Sequence, residues 1–236
     1  MPEFVRPPPP TEESERLNTE LRAYLARIGA EFPPTFWTAG WPQIRLGDTT
    51  PTGRALEKAG RVEISRWKGR LVFRSAGLLS NDLNPFPHGT TRLTIVRWGD
   101  APDECGQIVV GEHSTLNATS ITSYIGVHIG RHVLFGPGVV IMDCDGHPVD
   151  RTLPDQREHY KLAPVTIGDH AWLGLGCTIM KGVTIGHHAV VATQSVVVKD
   201  VPPHCIVAGN PARIVKDLRT DPEVVRRGLE QLGANT

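Results

Sequence analysis

The sequence predicts a mainly β protein built as a parallel β-helix, with an N-terminal α/β cap and a short C-terminal helix. Three observations carry that prediction. An aliphatic residue falls on every sixth position at Ile167, Leu173, Ile179, Ile185, Val191 and Val197. A small or β-branched residue stands four positions after each: Ala171, Cys177, Val183, Ala189, Ser195 and Val201. Glycine follows three of the first four aliphatic sites, at Gly168, Gly174 and Gly186. A period of six is neither the roughly 3.6 of a helix nor the roughly 2 of an ordinary strand. It suits a coil of short parallel strands whose aliphatic side chains point inward and whose small residues fit the corners.

The elements follow in order. Pro7 to Pro10 form a stiff extended leader. Leu17, Leu21, Tyr24, Leu25 and Ile28 recur at helical spacing, behind Glu12, Glu13 and Glu15 at the N-terminal dipole end. One amphipathic helix from about Thr11 to Ile28, closed by Gly29, is expected. The stretch Glu31 to Thr52, rich in Pro, Gly and Trp, carries no assignable pattern. Short alternating runs at Val62–Trp67, Leu71–Phe73 and Leu93–Trp98 read as strands, the last two divided by the loop Ser80–Thr90. Residues 1–106 would then cap the open end of a coil spanning 107–213.

Within the coil, Val110, Leu116, Ile129, Phe135 and Ile141 hold the period with one slip near Ile121 and Ile125. From about Met142 to Pro164 no aliphatic residue keeps register, which predicts a long loop ejected from the coil. Pro202 and Pro203 end the regular run, and residues 214–236, with Val224, Val225, Leu229 and Leu232, are expected to be helical.

Bulk properties exclude several classes. With 236 residues and a formal net charge of +0, the chain offers no general attraction to nucleic acid or anionic membrane. No apolar run approaches the ~18 residues of a membrane span. The opening MPEFVRPPPP lacks the segments of a secretory signal, and the four cysteines lack C-x-x-C spacing, so a reduced, cytoplasmic protein is expected.

Chemistry points to the ejected loop, which opens MDCDGHPVD and carries His147. Imidazole exchanges a proton near neutral pH, as the activation of a poorly nucleophilic hydroxyl requires. No G-x-S-x-G elbow is present to suggest an acyl-enzyme, so direct transfer is the simpler route. A carboxylate is needed to hold the ring in one tautomer, and Glu158, Asp143 and Asp145 are the candidates.

Several motifs stand in one order: GHPVD (Gly146 to Asp150), Glu158 and Tyr160, PVTIGDHAWLG (Pro164 to Gly174), KGVTIG (Lys181 to Gly186), VVVKDVPP (Val196 to Pro203) and AGNPARIVK (Ala208 to Lys216). Over roughly Ile108 to Leu218 they resemble the hexapeptide-repeat acyltransferases, in particular the maltose- and galactoside-type sugar O-acetyltransferases and their polysaccharide-modifying relatives. The resemblance implies a left-handed coil, acetyl-CoA as donor, no metal, and a saccharide hydroxyl as acceptor. It makes His147 the general base with Glu158 beside it, and it gives Asn117, Trp172 and Tyr160 to the acceptor site. It gives Gly174, Thr193, Lys199, Arg213 and Lys216 to CoA, the glycine and threonine through backbone amides and the cations through phosphate. It also implies a homotrimer with active sites between subunits, His147 coming from one and Trp172 from its neighbour.

Other readings use the same coil. An antibiotic- or nucleotide-sugar-amine acetyltransferase shares the histidine and the loop. A gamma-type zinc carbonic anhydrase would need ligands among His128, His132, His170, His187 and His188, though that family's ligand spacing is absent. A non-catalytic coil that binds a sugar or a partner is the third.

Overall fold

The structure, a computed structural model, describes residues 12–33, 37–39, 42–50, 52, 67–74, 77–79, 89–101 and 103–223. Among the described residues, helix α1 (Glu12–Arg27) precedes nineteen short strands. The strands are β1 (Trp37–Ala39), β2 (Gln43–Asp48), β3 (Leu71–Phe73), β4 (Gly77–Leu79), β5 (Arg92–Arg97), β6 (Ile108–Val110) and β7 (Thr115–Asn117). Next come β8 (Ser120–Ser123), β9 (Val127–Ile129), β10 (Leu134–Phe135), β11 (Val140–Met142), β12 (Val165–Ile167) and β13 (Trp172–Leu173). The last are β14 (Thr178–Ile179), β15 (Thr184–Ile185), β16 (Val190–Val191), β17 (Val196–Val197), β18 (Cys205–Gly209) and β19 (Ala212–Asp217).

From β1 to β14 each strand pairs in parallel with the third strand on, and β16 pairs in parallel with β18, which makes three sheets. One runs β3-β6-β9-β12-β15, a second β2-β5-β8-β11-β14-β17, and a third β1-β4-β7-β10-β13-β16-β18, with β19 added antiparallel at its edge. Thr166 faces Thr184 and Ile167 faces Ile185, three hexads later, so one turn of the coil consumes three repeats. The hexad positions do what their spacing predicts. Ile167, Leu173, Ile179, Ile185, Val191 and Val197 are all buried, and so are Ala171, Cys177, Val183, Ala189, Ser195 and Val201 at the corners. Backbone pairing between turns satisfies the polar main chain while these side chains fill the prism.

The boundary expected at residue 106 is not a boundary of the sheets. Strands β1 to β5 belong to the same three sheets, with β3 pairing β6, β4 pairing β7 and β5 pairing β8. Their period is hidden because long insertions separate them, yet Leu93 and Ile95 are as buried as the later repeats. The cap proper is α1, which packs against β1 and adds Leu21, Leu25 and Ile28 to the buried cluster that holds Trp67 and Leu71. It ends as expected at Gly29, at φ +70, with Ala30 N–H bonded to the Leu25 carbonyl. The run Val62–Trp67 lies outside the described residues apart from Trp67, as does most of the loop Ser80–Thr90.

At the other end, the helix expected from residue 214 is replaced at first by β19, which folds back on β18. Residues 224–236 lie outside the described part. Among the described residues no helix is long and apolar enough to cross a membrane.

Candidate active site

The ejected loop leaves the coil after β11 and rejoins it at β12. Its base is clamped by an antiparallel bridge between Cys144 and Leu162 and by Asp145 N–H bonded to the Lys161 carbonyl at 3.2 Å. Asp143 is the anchor beneath. Fully buried, its carboxylate accepts from Ser123 Oγ at 2.8 Å and from the backbone N–H groups of Tyr124, Ile125 and Gly126 at 2.7, 2.9 and 2.7 Å. Burial pushes this carboxyl up while the four hydrogen bonds hold it down. Asp145 forms an ion pair with Lys181. Neither aspartate is hydrogen-bonded to His147; both help fix the loop to the coil.

His147 projects from this base with its side chain 67% exposed. Its Nδ1 lies 3.1 and 3.0 Å from the two oxygens of Asp155, not beside Glu158. Glu158 instead sits exposed on a single 3-10 turn, Arg157–His159. The expected pairing is corrected because that turn directs residue 158 outward while the chain before it brings Asp155 back across the loop. Asp155 also accepts from Tyr160 Oη at 2.9 Å. The hydrogen bond from His147, then that from Tyr160, holds the Asp155 carboxyl below its ordinary range. Burial first, then the bond to Asp155, pushes the Tyr160 phenol up. An ionised carboxylate only accepts, so Nδ1 carries a ring proton, and in the neutral ring Nε2 is the nitrogen with the free lone pair. The ring of Tyr160 stands edge-on to His147 at 6.2 Å and to Tyr124 at 6.4 Å.

A second group adjoins these rings. The guanidinium carbon of Arg157 lies 3.8 Å from the centre of the Trp98 ring, and the Trp98 indole N–H donates to the Tyr124 carbonyl at 2.9 Å. Composition and spacing gave no signal for Asp155 as the histidine's partner or for Arg157, because a loop path has no period to read.

The remaining predicted site residues are scattered over other parts of the coil. Asn117 ends β7, half-buried, and its carbonyl accepts from Thr119 Oγ1 at 3.2 Å. Trp172 is 53% exposed, on the outer face of β13 rather than at a corner, in register with Leu134, itself 42% exposed. Gly174 does not present a free amide. Its N–H donates to the Val191 carbonyl at 2.8 Å, and a Cβ there would lie 2.6 Å from the Thr193 nitrogen, so the glycine is required by the stacking of turns. Thr193, Lys199 and Arg213 are exposed, and Lys216 is tied to Asp221 by an ion pair.

All four cysteines are buried and free. Burial pushes Cys144 up to about 11 and Cys177 up to about 12, which leaves neither as a thiolate at neutral pH. The histidines of the coil do not converge as ligands. His113, His132, His170, His188 and His204 form one ladder, neighbouring ring centres 4.7 to 4.9 Å apart, each residue at a positive φ at one corner of the coil. Among the described residues no three His, Cys, Asp or Glu side chains are grouped to hold a metal ion.

Residues 164–198 match the family model described as the hexapeptide repeat of succinyl-transferase. Over those residues the chain carries the hexapeptide repeat. The chain is 38% identical over 106 residues to a galactoside O-acetyltransferase of Escherichia coli (strain K12), an alignment covering 45% of it and 51% of that relative. A putative acetyltransferase of Saccharomyces cerevisiae is 41% identical over 92 residues, covering 39% of the chain and 46% of the relative. The chain thus spans about half the length of the curated relatives it matches. Among solved structures, an N-acyltransferase from Bacillus cereus in complex with dTDP and 3-hydroxybutyryl-CoA shares the fold, with a TM-score of 0.51 at 14% identity over 90% of this chain and 95% of that one.

Proposed function

We propose that this protein is an acetyl-CoA-dependent O-acetyltransferase that transfers the acetyl group to a hydroxyl of a saccharide. The observation that carries the reading is the Tyr160–Asp155–His147 chain, which leaves Nε2 of an exposed imidazole as the free base. Nε2 takes the proton of the acceptor hydroxyl as its oxygen attacks the thioester carbonyl. The C–S bond then breaks, and the departing CoA thiolate recovers the proton from the imidazolium. Asp155 stabilises that imidazolium, and Tyr160 keeps Asp155 in place. No covalent acyl-enzyme is needed, in keeping with four buried cysteines.

Support for acetyl transfer comes from relatives named galactoside O-acetyltransferase, in Escherichia coli and in Lactococcus lactis, and chloramphenicol acetyltransferase, in Klebsiella aerogenes. Exposed Lys199 and Arg213, inside the two C-terminal motifs, suit the phosphates of CoA. Leu134 and Trp172 give one outer face of the coil an apolar stripe of the kind that a neighbouring coil would cover. A homotrimer, with each active site completed by Trp172 of the next subunit, accounts for that stripe. The cytoplasm, which supplies acetyl-CoA, is the compartment that fits.

The test is thiol release from acetyl-CoA across saccharides, nucleotide sugars, aminoglycosides and chloramphenicol, with His147→Ala beside the wild type. Release that requires both a saccharide and His147 supports the proposal. Release with amine acceptors alone would replace it with N-acetyl transfer, and no release with any acceptor would remove it.

A further inference from the structure

We propose that Arg157 makes the acceptor site selective for saccharides bearing an anionic group, a carboxylate or phosphate, on the ring that is acetylated. The acetyl-transfer reading supplies the reaction; the selectivity itself rests on the surroundings of this one cation. Arg157 belongs to the same loop as His147, and its guanidinium lies flat over Trp98 at 3.8 Å. The plate beneath it is fixed, since the Trp98 indole donates to the Tyr124 carbonyl. The side chain is half-buried, and its Nε is fully enclosed with no hydrogen-bond acceptor.

Among the described residues no carboxylate answers this charge. Among the described residues Arg157 forms no ion pair; Glu104 and Glu158 act on it only through space. Glu104 is occupied with the backbone N–H of Ala101 at 2.9 Å, and Glu158 faces solvent. A partly desolvated cation without a counter-ion is unfavourable, and an aromatic face compensates only in part. An anion delivered by a ligand would complete it, and the planar fork of arginine is shaped to take a carboxylate or phosphate through two parallel hydrogen bonds.

The position ties this demand to the acceptor. Arg157 lies on Trp98, whose indole is bonded to the Tyr124 backbone, the Tyr124 ring meets Tyr160, and the Tyr160 ring meets His147. Cation, two phenols and base therefore form one contiguous group, in which a sugar ring lying against the tyrosines would place a hydroxyl toward His147 and an acidic substituent toward Arg157.

Matched pairs of acceptors test this: methyl glucuronide against methyl glucoside, methyl galacturonide against methyl galactoside, and glucose 6-phosphate against glucose. Binding is measured by calorimetry without acetyl-CoA, then thiol release with it, for wild type, Arg157→Gln and Arg157→Lys. The expected result is that the wild type binds at least one anionic member ~10-fold or more tighter than its neutral partner. Arg157→Gln should erase that preference and leave the neutral sugar within about twofold, and Arg157→Lys should keep part of it. The carboxylate and phosphate pairs separate the two anions. No preference in any wild-type pair overturns the proposal. So does an equal loss of both members in Arg157→Gln, which would make Arg157 a packing clamp on Trp98. Selective binding without thiol release would sink the acetyl-transfer reading and leave the anion site standing.

Discussion

Asp155 brings both carboxylate oxygens to within 3.1 Å of Nδ1 of His147, and this contact decides which ring nitrogen is free for chemistry. The opposite tautomer would set a lone pair against a carboxylate, so the ion holds the proton on Nδ1. Because Tyr160 Oη donates to the same carboxylate, the orientation of the base depends on two residues from the far half of its own loop.

Replacing Asp155 therefore tests the arrangement. Asp155→Asn keeps the shape but lets an amide face Nδ1, which permits the wrong tautomer. Turnover is expected to fall by at least ~10-fold, with ~10⁴-fold as the bound set by a mis-set tautomer. Glu158→Gln, which the geometry leaves outside the contact, should stay within about twofold of wild type. The reverse order of effects in steady-state kinetics would return the orienting role to Glu158.

His147→Ala removes the base itself. Turnover should fall roughly 10²–10⁴-fold while CoA still binds, since the loss concerns proton transfer and not the donor site. Turnover within tenfold of wild type would assign the base elsewhere. Adding imidazole to the variant provides a further check, because an exposed cavity at residue 147 can admit it.

How much of this was legible in the sequence follows from what repeats. Ile167 to Val197 announced their burial through a strict period, and the loop announced itself by breaking it. The turns formed by β1 to β5 went unread, since the insertions between Leu46, Leu71 and Leu93 destroy the spacing while leaving the pairing intact. The sequence places Trp172 outward at a corner, and the structure puts it outward on strand β13. Asp155 escaped for another reason: hydrogen bonds across a loop depend on its path, which no local rule encodes. The histidine ladder escaped because its members are unevenly spaced in sequence and align only when the turns stack.

Asp143 illustrates a stability role in a residue that the sequence offered as a functional carboxylate. Asp143→Ala strands three backbone N–H groups and the Ser123 hydroxyl beneath the loop. The expected cost is about 3 kcal/mol or more, a fall in Tm of roughly 6–12 °C for a chain of this size. Calorimetry reads it directly. A shift under ~2 °C would mean that water replaces the carboxylate, contrary to its full burial.

The donor site makes a separate prediction. Lys199→Ala and Arg213→Ala should each raise the KM for acetyl-CoA several-fold, by about 3–10 times, with little change in kcat, because phosphate contacts far from the thioester bind ground and transition states alike. Lys216→Ala should do less, since Asp221 already occupies its charge. If KM were unchanged in all three, the nucleotide would lie on another face of the coil.

The ladder is expected to make stability depend on pH. Burial, then the neighbouring histidines, lowers the pKa of His132 and of His188 below the ordinary 6.5, with Arg131 acting the same way on His132 and His187 on His188; Asp169 opposes both. Glu112 faces Arg131, and Asp217 faces His204 at the C-terminal end, so the corner carries few charges able to neutralise protonated rings. A histidine whose folded pKa is depressed favours the neutral fold. Its contribution is complete above the unfolded value and is lost as pH falls through about 6.5, where the unfolded chain gains protons first. Tm should accordingly decline between pH 7.5 and 5.5, above the range where the carboxylates titrate. The triple variant His132→Asn, His170→Asn, His188→Asn keeps side chains that tolerate a positive φ and removes the centre of the stack. Its Tm should vary less over that interval, as measured by thermal melts at matched ionic strength. An unchanged slope would place the acid sensitivity in the other histidines and reduce the ladder to packing.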